Sequence, residues 1–439
     1  MLLVYIEDIT NRHRYIFDLM LKQLLGFDYA LSSDKDAFLY AKGPKLIYGS
    51  DLFADAVFCE ATGFLNKSGI QDVDLNSISF ENYQILFPVN NSKSVFPFDC
   101  FSAAFYLVSR YEEYSSKQKD QHDRFSSKFS IAKKLNFLYQ PVVNQWAKIL
   151  KRNIEKTFPE IEVPNSTSYS FLPTYDIDIA YSYCFKGLFR TLGGFAKDAM
   201  RLSVNNLVER FWVLLGKKND PFDNFEYFLE WQKSYQLHPI YFFPVGVQSE
   251  FDKSLSVEKE AIKKLISGIA ENAIVGLHPS YASNSNEEKI GIEKSKLEKL
   301  LDVEISRSRQ HYIKLKLPAT YQALLKAGIR KEYSMGYPDD VGFRASIASS
   351  FYFYDLEKEQ QTNLKIYPFA IMDVTLNDYL KLSPAAALAL SEKIVTAIKE
   401  VDGLFVSIWH NENVSEKANW KGWRHVYEEM LQLSLPEEN

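Results

Sequence analysis

Cysteine is scarce in this chain: three in 439 residues, Cys59, Cys100 and Cys184, with no CxxC spacing among them. That excludes a disulfide framework and a cysteine-based zinc site, and it fits a reducing compartment where thiols pack as small apolar groups. Long apolar runs are missing too, and none approaches the roughly 18 residues needed to span a bilayer. Basic residues are not in excess. Lys and Arg number 51 against 56 Asp and Glu, a net charge of -5, so bulk charge offers nothing to nucleic acid or anionic lipid. There is no GxGxxG, P-loop, HExxH or GxSxG pattern, no internal repeat and no low-complexity tract. The first residues, MLLVYIEDITNRHRYIF, lack a basic leader and read as a first strand rather than a signal peptide, so a cytoplasmic location is expected.

What the chain does have is rings and alternating pattern. Hydrophobic residues make up 46%, aromatics 15% and charged residues 24%, an ordinary globular balance. The length exceeds what one core usually fills, so two domains are expected. Residues 1–165 mix short apolar strands (2–6, 45–48 and 85–88) with helices, and Phe101, Phe105, Leu107 and Val108 suggest a core-facing stripe. The polar run 115–130 reads as an exposed loop, and PEIEVPNSTS at 159–168 as the boundary.

Beyond it, strands and helices alternate. Strands are expected at SYSFLPTYDID, 239–246, 273–279, 311–318, 366–373 and 404–409, with a long helical insertion over 184–232. Ser383 at an N-cap, Pro384 at N1 and Gly403 past the end delimit one helix. The predicted fold class is α/β: a deformed (β/α) barrel of about seven units over 166–439, preceded by a smaller α/β domain of unknown role over 1–165.

Ionisable residues recur at the predicted strand ends. Asp176 and Asp178 close the first strand, and His278, Asp373 and His410 close later ones. In parallel barrels those ends form the active face. Asp176 and Asp178 are two apart and point to one side of a strand. Two carboxylates so close ionise together only beside a cation, which a metal would supply; an acidic loop capping the next helix is the plain alternative. A neutral imidazole at 278 or 410 suits zinc or a similar ion, though each could equally be a hydrogen-bonded loop histidine. Arg344 is either a surface residue or one half of a bidentate pair with a carboxylate. Trp409, Trp420 and Trp423 could stack on a sugar ring, with core packing the safer reading for at least two, and FYFYDL (351–356) reads as a buried strand.

Read in order, TYDID, VGLHPSY, DDVGFRAS, PFAIMD and VSIWHNE resemble the motifs of the polysaccharide deacetylase family, carbohydrate esterase family four, over about 170–415. The set resembles a bacterial subgroup with an N-terminal α/β domain. The resemblance implies a divalent metal, zinc foremost, and a carbohydrate substrate from which an acetyl group is removed. Asp176 would be the general base, Asp178 and His278 metal ligands, and Arg344 the partner that orients Asp176. His410 would be the general acid, oriented by Asp373. One position departs from the pattern: Ala282 stands where the family has its second metal histidine. His311, read as the start of the next strand, is the best substitute by position. A glycan-binding pseudoenzyme and a glycosidase are the rival readings.

Overall fold

The computed structural model describes residues 1–161 and 168–436, so most of the expected boundary at 159–168 lies outside the described residues. The opening apolar run forms β1 (Leu2–Tyr5), whose alternate residues Leu2 and Val4 are buried. With β2 (Tyr29–Ser32), β3 (Lys45–Gly49) and β4 (Val57–Glu60) it makes a parallel sheet in the order β2-β1-β3-β4. β5 (Ser77–Phe80) and β6 (Tyr83–Leu86) form an antiparallel hairpin. The helix Cys100–Val108 is buried on every side rather than along one stripe. Its N-cap is Asp99, whose carboxylate accepts from the Ser102 N–H at 2.9 Å.

The second sheet carries the site. Its strands are β7 (Ser170–Asp176), β8 (Ile240–Phe243), β9 (Ile274–Leu277), β10 (Arg307–Ser308), β11 (Lys331–Glu332), β12 (Phe351–Asp355), β13 (Gln360–Ile366), β14 (Ile371–Met372) and β15 (Leu404–His410). They run in the order β12-β13-β11-β10-β9-β8-β7-β15-β14, and only the β12–β13 pair is antiparallel. β7 and β15 pair in register from Ser170 with Leu404 to Asp176 with His410, so these two ionisable residues end level.

The sheet must curl. β13 and β14 are seven strand spacings apart in that order, about 34 Å across a flat sheet. Only residues 367–370 separate them in the chain, and five residue steps reach about 18 Å. These four residues bond to both flanks: the Tyr367 and Phe369 N–H groups donate to the Glu332 and Met335 carbonyls, and the Ala370 N–H donates to the Val406 carbonyl. Among the described residues no ladder joins the two edges, so the strand pairing is that of an open, curled sheet where the sequence predicts a barrel. The chain turns through 367–370 instead of pairing there, which breaks the expected strand 366–373 into β13 and β14.

Two other expectations are corrected. HYIKLKLP is not a strand: β10 ends at Ser308, and residues 311–313 form a tight helical turn with Tyr312 and Ile313 at positive φ. The loop 115–130 is only partly exposed. Arg124, Phe125, Ser126 and Ser127 are buried, because Ser126 and Ser127 donate to Asp339 and Arg124 donates to the Tyr312 carbonyl.

The N-terminal segment and the second sheet share one continuous apolar core. A buried ion cluster crosses between them. Glu113 accepts from Arg344 Nε and Nη2 at 2.9 and 2.6 Å and from Arg110 Nε at 2.8 Å. Burial pushes the Glu113 carboxyl up, but the two guanidinium charges outweigh it and bring it down to about 2 from an ordinary 4.5. Its stabilisation is therefore complete above about pH 4.5 and is lost as pH falls towards 2. Glu113→Gln leaves two buried arginines short of a counter-charge and is expected to cost about 3 kcal/mol at pH 7. The difference in denaturation midpoint between the variant and the wild type should shrink below pH 4.5.

Candidate metal centre and active site

The functional side chains stand at the C-terminal ends of β7, β9, β10, β14 and β15, where the following loops converge. β9 reaches His278 through a strand whose last three residues are buried. Flatness at Gly276 matters here: a Cβ would meet the Phe242 ring at 2.6 Å, and that ring lies 4.6 Å beneath the Arg309 guanidinium.

Asp178, His278 and His311 offer ligand atoms that all lie within 4.8 Å of one another. His278 Nε2 is 3.2 Å from Asp178 Oδ1, and His311 Nε2 is 3.1 Å from Asp178 Oδ2. The far nitrogen of each ring is already engaged. His278 Nδ1 donates to the Arg309 carbonyl at 2.6 Å, and His311 Nδ1 to Asp252 Oδ1 at 2.8 Å. These bonds hold each neutral ring in the tautomer that bares Nε2. Two lone pairs then face a carboxylate, an arrangement that needs positive charge between them. A proton on each ring would serve, and so would one metal ion for all three groups.

The donor set fits a divalent ion such as zinc. A carboxylate and two imidazoles are the right ligand types, and one donor atom from each lies within 4.8 Å of the other two, close enough for a single ion to reach all three. Among the described residues the buried Asp178 Oδ1 makes no well-directed hydrogen bond, as suits a ligand oxygen. Burial pulls the Asp178 carboxyl upward, but His311 and His278 hold it well below the usual range. Burial lowers His311, yet Asp178 and Asp252 more than compensate and raise it to about 10.

Two further groups flank the triad. Asp176 Oδ2 is 3.8 Å from His278 Nε2, and its Oδ1 accepts from Arg309 Nη1 at 2.9 Å. Arg309 is fully buried, and its remaining bonds go to Thr174 Oγ1 and the Tyr333 carbonyl. The Asp176 partner expected from sequence is thus displaced: Arg344 is held by Glu113 and the Gly336 carbonyl, and Arg309 takes the place beside Asp176. On the other flank, His410 Nε2 stands 3.9 Å from Asp178 Oδ2. Its Nδ1 donates to Asp373 Oδ1 at 2.8 Å, and Asp373 Oδ2 accepts from the His410 N–H and from Asn413. Burial works against the imidazolium at 410, but Asp373 outweighs it and pushes the His410 pKa well up.

A cavity of about 290 Å³ opens onto Asp176, Asp178, His278, His311, His410 and Glu412. Phe251, Tyr312 and Tyr379 wall it, and Arg124 arrives from the N-terminal segment. Sequence reasoning missed Arg309, Asp252, Arg124 and Glu412. Only Glu412 carried a signal, as part of VSIWHNE; burial pushes its carboxyl up to about 8, and among the described residues its Oε2 has no hydrogen-bond partner. Trp409 and Trp423 are core residues, at 0% and 2% exposure.

Residues 2–159 match a family of unknown function, DUF7033. No curated protein matches the chain. Among solved structures, a protein assigned to the polysaccharide deacetylases from Mycobacterium smegmatis aligns at 13% identity and a TM-score of 0.40, over 62% of this chain and 86% of that one. A mutant of a CE4 family pseudoenzyme with restored enzymatic activity aligns at 8% identity and 0.25, over 64% and 77%. A 4-alpha-glucanotransferase from Thermococcus litoralis aligns at 10% and 0.36, over 61% and 37%. Likenesses this distant carry no argument about activity, which is left to the side chains themselves.

Proposed function

We propose that the protein is a metal-dependent deacetylase acting on an N-acetylated sugar of a glycan or glycan precursor. The observation that carries the reading is the layout of the cavity: a carboxylate-and-two-histidine donor set with a buried, arginine-held aspartate on one side and an aspartate-held histidine on the other. Asp178, His278 and His311 would hold a divalent ion, which would supply Lewis-acid chemistry toward the acyl carbonyl and the attacking water. Asp176 takes the proton from the attacking water, with Arg309 fixing the carboxylate's direction. His410, protonated on Nε2, donates to the departing amine, and Asp373 holds the ring so that Nε2 faces the cavity. The aromatic wall of Phe251, Tyr312 and Tyr379 suits the apolar face of a pyranose ring. Arg124 gives the segment 1–165 a part in shaping that wall.

The test is metal analysis of the purified protein together with acetate release from N-acetylated oligosaccharides. Metal at one equivalent with acetate released supports the proposal. Metal-free protein that binds glycans without turnover would replace it with a binding module, and reducing sugar without acetate would replace it with a glycosidase. His410→Ala is expected to lower kcat by about 10²-fold or more with little change in substrate binding, since its proton is needed mainly in the transition state. A change confined to KM would make His410 a binding residue.

A further inference from the structure

We propose that the helical insertion between β7 and β8 is a membrane-surface anchor that seats on anionic lipid headgroups. Its first two helices, Leu188–Met200 and Val204–Leu214, pack as a hairpin, and a third, Phe225–Ser234, leads on to β8. A soluble surface helix normally turns its large apolar residues inward. Here they point out: Phe189 is 93% exposed and Leu202 86%, with Leu188, Met200, Phe211 and Trp212 also exposed. Large apolar residues exposed together on one hairpin mark a contact surface.

The hairpin is a built unit and not a loosely attached tail. Arg210 donates to Asp198 from Nε and Nη2 at 2.9 and 2.7 Å and lies 4.5 Å over the Tyr183 ring. Gly194 makes room for it, since a Cβ there would come within 2.4 Å of the guanidinium.

Charge selects the occupant. Residues 184–218 hold seven Lys and Arg against two Asp and Glu, in a chain whose net charge is -5. Both acids are spent internally, Asp198 on Arg210 and Glu209 on Lys218 and Lys417. Arg190, Lys197, Arg201 and Lys217 remain at the surface among the apolar residues. Basic residues interleaved with Leu, Phe and Trp are what an interfacial helix presents to a negatively charged membrane. A two-fold contact with a second copy would set those like charges against each other. The helices cannot cross a bilayer: at 13 and 11 residues they reach about 20 and 17 Å. They would lie in the plane of the headgroups.

The patch is at the cavity's end of the sheet. The insertion follows directly from Asp178, and Arg190 donates to Gln248 in the loop that supplies Phe251 and Lys253 to the cavity. Docking would bring the cavity mouth close to the lipid surface, whatever the reaction inside it.

The test is cosedimentation of the full chain with vesicles of equimolar phosphatidylcholine and phosphatidylglycerol. Wild type should pellet with these and not with pure phosphatidylcholine. The double variant Phe189→Glu, Leu202→Glu should lose at least about tenfold in partitioning, and Lys197→Gln with Arg201→Gln about as much. Should the Glu variant fail to fold by circular dichroism, the exposed Gln pair decides. Failure of wild type to pellet, or full binding by the Gln pair, overturns the proposal. So does a dimer in solution that dissociates in the Glu variant and ignores vesicles, which would make the patch an interface between copies. None of these outcomes depends on acetate release or metal content, so the deacetylase reading stands or falls separately.

Discussion

Asp176→Asn is expected to lower acetate release by about 10²–10⁴-fold while metal content stays at the wild-type level. The amide keeps the size of the side chain and can still accept from Arg309, but it cannot take a proton from water. Metal is retained because Asp176 lies outside the donor triad, with its nearer oxygen 3.8 Å from His278 Nε2 and the other committed to Arg309. The pair of measurements matters more than either alone. Loss of both metal and turnover would show that Asp176 is a ligand. Near-normal turnover with metal present would move the base elsewhere in the cavity, with Glu412 the next carboxylate to examine.

His311→Ala is expected to weaken metal binding by at least about 100-fold, an effect comparable to that of His278→Ala, with the melting temperature of the metal-free protein close to wild type. Three protein ligands with an open position are the usual catalytic arrangement, and two hold an ion poorly. The His311 ring is also steered by Asp252, which accepts from the Tyr281 N–H and Ser249 Oγ as well as from Nδ1. Asp252→Asn should therefore cost a smaller amount, about 10–100-fold, typical of a group that orients a ligand. The ordering of these losses is read from competition with a chromogenic chelator. Full metal occupancy in His311→Ala would remove this residue from the site.

How far the site could be read in advance differs residue by residue. Asp176, Asp178, His278, Asp373 and His410 each follow an apolar run that ends where the strand ends, and such a run is visible in any window of eight residues. His311 stands out in the sequence by its position, but its local structure is a turn and not a strand. HYIKLKLP alternates like a strand, and no glycine or asparagine marks the turn in which Tyr312 and Ile313 take positive φ. That turn leaves His311 past the C-terminal end of β10, alongside His278, whereas a residue opening a strand would sit at the opposite end of the sheet. Arg309 stands two residues upstream in SRSRQH, with nothing in its neighbours to distinguish it from Arg307.

The ends of β7, β9 and β15, the cap at Ser383 and the acidic and imidazole groups beside those strand ends were determined by the sequence itself, because periodicity and capping act over a few residues. Which side chains meet was decided by tertiary structure. Arg344 lies 231 positions from the Glu113 that holds it, and Arg309 lies 133 positions from Asp176. Both arginines are fully buried, and a buried guanidinium takes whichever carboxylate the packing brings within reach. The curl of the sheet was settled the same way. It follows from the four residues that must carry the chain from β13 to β14, a distance constraint that exists only once the strand order does.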